Sequence, residues 1–131
     1  MSTNELVGVW NLVSFHDLDD EGTRLEGPLG PAPRGLLVYT ADGHVTVNMM
    51  RTTRGSAHGG PTHMGYAGHW RLSGNKVVHR IEVTPKAEWV GTEQLRDMVL
   101  DQDALTLYGT AVVDGRPQRR VLHWRRTMGR G

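Results

Sequence analysis

Tyr66-Ala67-Gly68-His69-Trp70-Arg71-Leu72-Ser73-Gly74-Asn75-Lys76-Val77-Val78-His79-Arg80-Ile81-Glu82-Val83 is the stretch whose reading decides the fold. Two runs of alternating character flank Gly74-Asn75, a glycine-first pair suited to a two-residue type II′ turn. Such a turn sets Ser73 opposite Lys76. Leu72 then faces Val77, Trp70 faces His79 and Gly68 faces Ile81. One side of the hairpin carries Tyr66, Trp70, Leu72, Val77, His79, Ile81 and Val83. The other carries His69, Arg71, Ser73, Lys76, Arg80 and Glu82, with Val78 its one apolar member. A slip of one residue would mix the two sets, so the pattern itself supports the register. His79 is thereby expected on the apolar side and His69 toward water.

Short β-rich runs bounded by turn signals continue on both sides of this hairpin. They are Val9 to Asp17, Gly35 to Thr40, His44 to Arg51, Gln94 to Leu100, Leu105 to Ala111 and Arg119 to Arg126. Ala41-Asp42-Gly43 and Gln102-Asp103 turn two further hairpins, and Asp114-Gly115-Arg116-Pro117 precedes the last strand. Gly27-Pro28-Leu29-Gly30-Pro31-Ala32-Pro33 has to be irregular. Thr52 to Gly65, rich in glycine, reads as a mobile loop. Ser2-Thr3-Asn4-Glu5 has the spacing of a capping box and predicts a helical turn before Gly8. The expected fold is all-β: one domain over residues 1–131, an eight-stranded up-and-down antiparallel β-barrel with a short N-terminal helical turn.

The interior can be read strand by strand. The Gln102-Asp103 turn pairs Leu100 with Leu105 and Met98 with Leu107. Arg96 and Gln94 continue that apolar face, with the small residues Gly109 and Ala111 opposite them. A buried guanidinium carries five donors and keeps its proton, so it demands an acceptor or a ligand oxygen. Leu122, Trp124 and Arg126 share a face in the last strand, and the remaining C-terminal arginines read as a solvated edge. Leu37, Tyr39, Val45, Val47 and Met49 form the more apolar face of their hairpin. The opposite face, with Leu36, Val38, Thr46, Asn48 and Met50, leaves Asn48 as a candidate cavity residue. In the first strand, periodicity alone does not choose between the two alternating sets.

Composition narrows the function. The 131 residues carry a formal charge of +1, from 15 basic and 14 acidic side chains, a balance that argues against nucleic-acid binding. There is no cysteine, which excludes disulfides, thiol catalysis and Cys-ligated zinc. No run approaches the 18 or so apolar residues of a membrane span. Met1-Ser2-Thr3-Asn4-Glu5 lacks the basic start and apolar run of a signal peptide, so a cytoplasmic location is expected. Seven histidines invite a metal, but His58 and His63 fall in the loop, His69 and His123 read as outward, and no His-x-His or His-Glu-x-x-His spacing occurs. No phosphate-binding glycine motif or nucleophile elbow is present. Neither metal nor cofactor is expected.

Gly8-Val9-Trp10-Asn11-Leu12-Val13-Ser14-Phe15 resembles the Gly-x-Trp opening strand of lipocalins and fatty-acid-binding proteins. The whole chain resembles the bacterial and fungal lipocalin-like domain family of small stand-alone barrels. That resemblance is carried by Gly35-Leu36-Leu37-Val38-Tyr39-Thr40-Ala41-Asp42-Gly43, Met50-Arg51, Tyr66-Ala67-Gly68, His79 with Glu82-Val83, Leu105-Thr106-Leu107 and Trp124. Its most specific block is Trp89-Val90-Gly91-Thr92-Glu93-Gln94-Leu95-Arg96. The Thr52–Gly65 loop is shorter than in many relatives. The resemblance implies a barrel around a small hydrophobic molecule, acting as a cofactor-free cyclase or isomerase or as a carrier.

On the enzymatic reading, a polyketide-like or aromatic substrate would meet His79 moving a proton and Arg96 steadying negative charge on oxygen. Trp70, Trp89, Tyr66, Met98 and Leu107 would form apolar walls. Tyr39 and Tyr66 would offer hydroxyls, and Gln94 and Asn48 would be weaker polar contacts. Trp10 with Arg126 suggests a guanidinium stacked on an indole at the barrel base, a structural role. Competing expectations are a binding protein that carries a hydrophobic metabolite and a structural barrel with a filled core. A homodimer is compatible with the sequence but not demanded by it.

Overall fold

Among the described residues the alternating runs form nine strands: β1 (Gly8–Leu18), β2 (Arg24–Glu26), β3 (Arg34–Tyr39), β4 (His44–Met50), β5 (His63–Ser73), β6 (Lys76–Val83), β7 (Glu93–Asp101), β8 (Ala104–Val113) and β9 (Arg116–Arg126). They are seen in a computed structural model that describes residues 5–53, 61–113 and 115–127, with 111–113 as backbone only. From β3 to β9 each strand pairs antiparallel with the next, and β1 pairs with both β3 and β9. Eight strands thus close into a barrel. The ninth, β2, lies along His16–Leu18 of β1, beyond the part that β3 covers.

The Gly74-Asn75 turn sets the register as its chemistry requires. Gly74 has φ +60° while Asn75 stays outside the left-handed region, the signature of a type II′ turn. Ser73 pairs with Lys76, Leu72 with Val77, Trp70 with His79 and Gly68 with Ile81. The Gln102-Asp103 turn likewise pairs Leu100 with Leu105 and Met98 with Leu107.

Two bulges change what faces inward. Val13 is an extra residue in β1, between the Leu12–Trp124 and Ser14–His123 pairs. Trp10 is therefore buried on one alternation and Phe15 on the other, while Val13 stands exposed. Glu82 is an extra residue in β6, between the partners of Ala67 and Gly68. It turns Val83 outward, 68% exposed, where simple alternation predicts it inside.

Other boundaries also differ from the sequence reading. The short β2 has no strong β pattern and forms because the end of β1 offers it a free edge. The strand β5 begins at His63, so the loop expected over 52–65 is shorter, and β9 begins at Arg116. Of the capping box only Glu5 is described, in a single 3₁₀ turn; Ser2, Thr3, Asn4 and His58 lie outside the described residues.

Trp10 anchors one end of the core. It is fully buried, its Nε1–H donates to the Leu6 carbonyl at 3.0 Å, and the Arg126 guanidinium lies 4.3 Å from its ring centroid. Arg126 also donates to the carbonyls of Val7 (2.9 Å) and Glu5, tying the N-terminal segment to β9. No helix among the described residues is long and apolar enough to cross a membrane. Replacing Trp10 by Ala removes a buried indole and its hydrogen bond. It should cost about 3–5 kcal/mol of stability in a denaturant titration.

Candidate functional site

Inside the barrel lies a cavity of about 370 Å³, lined in part by Phe15, Leu37, Val47, Met49, Leu107 and Leu122. Into this apolar surface project polar side chains from β5, β6, β7 and β9. Tyr66 comes from β5, His79 from β6, Gln94 and Arg96 from β7, and Arg120 from β9 beyond the bare Gly109 of β8. The 3₁₀ turn Ala87–Trp89 and Lys86 before it supply the remaining wall, with Lys86 Nζ 4.6 Å from the Trp89 ring centroid.

His79 is almost completely buried, 2% exposed. Its two ring nitrogens are both engaged: Nε2 lies 2.7 Å from the Tyr39 hydroxyl and Nδ1 2.6 Å from the Tyr66 hydroxyl. Burial first, and the Arg96 charge second, lower its pKa to about 3. The ring is therefore neutral at physiological pH. Burial also raises both phenols, Tyr39 strongly, and each keeps its proton.

Arg96 lies beside this trio. Its register partner on β6 is Val77, and Gln94 is the partner of His79. One Arg96 amino group donates to Gln94 Oε1; because a guanidinium only donates, this contact also fixes which end of the Gln94 amide faces it. A Cβ placed on Gly109 would come within 2.9 Å of Arg96 Nη1. The missing side chain at Gly109 is thus what gives the guanidinium its room. Across β9, Gly109 pairs with Arg120, and Arg120 pairs with Asp17 of β1. A row Arg96–Gly109–Arg120–Asp17 therefore crosses the inner wall.

Asp17 Oδ1 and Arg120 Nε form an ion pair at 3.3 Å, with angles outside those of a hydrogen bond. Burial raises the Asp17 pKa and Arg120 partly offsets it. Among the described residues Arg96 has no carboxylate within salt-bridge distance. This row leaves the cavity with a surplus of positive charge.

Of the residues singled out from the sequence, His79, Arg96, Tyr66, Gln94, Trp89 and Leu107 line the cavity. Tyr39 sits behind His79 rather than on the wall. Trp70 packs against Tyr39 with centroids 4.8 Å apart and donates Nε1–H to the Thr40 carbonyl at 3.0 Å, so it supports the site from the core. Met98 is likewise core. Asn48 faces the outside and contacts His63 at 3.2 Å, because Val45, Val47 and Met49 take the inner positions of β4.

Arg120, Trp124 and Lys86 were not expected at the site. The signal for Arg120 is present in the sequence: it shares an alternation with Leu122 and Trp124. Among the described residues no group of three or more histidines and carboxylates is placed to hold a metal.

The profile of a family described as "Lipocalin-like domain" matches residues 7–63 and 55–127. A solved structure described as "The Siderocalin Ex-FABP functions through dual ligand specificities" is similar at a TM-score of 0.40 and 10% identity, over 94% of this chain and 71% of that one. No curated protein matches the chain.

The buried imidazole has a consequence for acid stability. Between about 3, its folded value, and 6.5, its ordinary one, His79 binds a proton only in the unfolded chain. Stability should rise with pH across that window and level off above it. Substituting His79→Gln should flatten the slope, by on the order of a few kcal/mol between its ends. Chemical denaturation from pH 3.5 to 7.5 reads this difference directly, and parallel curves would contradict it.

Proposed function

Since the chain belongs to the lipocalin-like domain family, we propose that it binds a small, largely apolar molecule inside the barrel, with one polar end at the Tyr66–His79–Arg96 corner. The observation that carries this reading is the cavity itself: apolar walls around a few convergent polar groups, one of them a guanidinium with no carboxylate beside it among the described residues. Gln94 Oε1 and the Leu95 carbonyl take two of the five guanidinium donors of Arg96, and the rest suit a ligand oxygen.

Fluorescence titration with N-phenyl-1-naphthylamine tests the reading. The wild-type protein should bind it saturably, one per chain. Gly109→Leu should weaken binding at least about tenfold by filling the space beside Arg96, while circular dichroism stays that of the barrel. Saturable binding that Gly109→Leu leaves unchanged would contradict the proposed location.

A second reading, a cofactor-free cyclase or isomerase of polyketide-like or aromatic substrates, is favoured by one feature. His79 bridges two phenols, so a neutral ring can accept a proton at one nitrogen as it releases one at the other. Tyr66, polarised as a donor by the His79 Nδ1–H at its oxygen, would hydrogen-bond a substrate carbonyl oxygen, with Arg96 stabilising the negative charge that develops there. On this reading His79→Gln and Arg96→Lys should each lower turnover by roughly 10²-fold with folding retained. Parental rates in both variants would exclude catalysis at this corner.

A further inference from the structure

The hydrogen-bond inventory of the cavity says what kind of polar group its ligand carries. Tyr39, His79 and Tyr66 together hold three donor protons: two phenolic O–H groups and, on a neutral imidazole, one N–H. Only two hydrogen bonds connect them. One O–H must therefore find an acceptor elsewhere. Tyr39 is 1% exposed and has no other side-chain or backbone partner among the described residues. A buried O–H left without an acceptor is costly, so Tyr39 donates to Nε2. The ring proton then sits on Nδ1 and is donated to the Tyr66 oxygen. The Tyr66 O–H is the proton left over, and Tyr66 is the one of the two phenols that lines the cavity.

The other polar groups on the wall have the same sense. Arg96, Arg120 and Lys86 can only donate. Gln94 has its oxygen committed to Arg96 and keeps its amide N–H groups. Trp124 also lines the cavity, but its Nε1 is buried beneath the surface and is not presented to a ligand. The side-chain acceptors of the lining, His79 Nε2, Gln94 Oε1 and the Tyr66 oxygen, each already receive a hydrogen bond, and Asp17, behind the lining, is ion-paired with Arg120. Thr110 is an exposed residue of the lining whose hydroxyl can act either way.

We infer that the cavity is selective for ligands whose polar groups are acceptors only, a carbonyl, enolate, phenolate or carboxylate on an apolar body, held by Tyr66 and Arg96. This rests on the binding reading above and adds the chemical class of the ligand. Polar groups that only donate are excluded for two reasons. They would leave Tyr66 unpaired, and a cationic one would meet Arg96, Arg120 and Lys86.

Isothermal titration calorimetry with four naphthalenes of similar size tests it on the unmodified protein. These are 2-acetylnaphthalene, 2-naphthoate, 2-isopropylnaphthalene and 2-naphthylmethylammonium. The ketone should bind about tenfold or more tighter than its isopropyl isostere, the carboxylate at least as tightly as the ketone, and the ammonium weakest of all. Tyr66→Phe should reduce the ketone's advantage over the isopropyl compound. Equal affinity of the ketone, the isopropyl compound and the ammonium would overturn the acceptor rule and leave cavity binding standing. If none of the four binds, isopropyl compound included, cavity binding itself fails and the rule with it.

Discussion

Pairing of β1 with β9 is the constraint on which the rest depends. Seven antiparallel neighbours make only a curled sheet with two open edges; the eighth contact, along Trp10 to Leu18, turns it into a barrel. Closure also fixes what can be inside. With both ends of the sheet paired, alternation assigns each residue to interior or solvent, and a departure needs an inserted residue such as Val13 or Glu82. Arg126, stacked on Trp10 and bonded to the carbonyls of Glu5 and Val7, links the N-terminal segment to the last strand at this seam.

Because register is fixed, the polar groups inside are held rather than merely enclosed. Trp70, His79 and Gln94 are ladder neighbours across β5, β6 and β7, and Arg96 follows Gln94 on the same face. Two tyrosines hold the imidazole ring by both nitrogens, and Trp70 packs against one of them. Such a corner does not need to reorganise to meet a ligand oxygen, and burial strengthens each of its hydrogen bonds relative to water. The absence of a side chain at Gly109 matters as much as the groups present, since it sets where Arg96 can lie.

Much of this was legible in the sequence where turn chemistry was unambiguous. The Gly74-Asn75 and Gln102-Asp103 turns determine register, and through it the inward placement of His79, Arg96 and Gln94. The first strand was not legible, because the bulge at Val13 puts Trp10 and Phe15, which differ in parity, on the same side. The β3–β4 hairpin has apolar residues on both faces, Leu36 and Met50 being about half exposed, so amphipathic contrast was weak and Asn48 was ambiguous. Arg120 was hidden among neighbouring arginines even though its alternation with Leu122 and Trp124 marks it as inward. That Tyr39 and Tyr66 meet on one ring depends on tertiary closeness between β3, β5 and β6, which no spacing along the chain encodes.

The account turns on the protonation of one ring: a buried neutral His79 with its proton on Nδ1, which leaves the Tyr66 hydroxyl free to donate. A long-range ¹H–¹⁵N correlation spectrum of the imidazole side chains, recorded from pH 4 to 8, reports tautomer and charge together. The result predicted for His79 is the neutral Nδ1–H pattern, unchanged over that range. A neutral Nε2–H pattern, or a titration near 6.5, would contradict it.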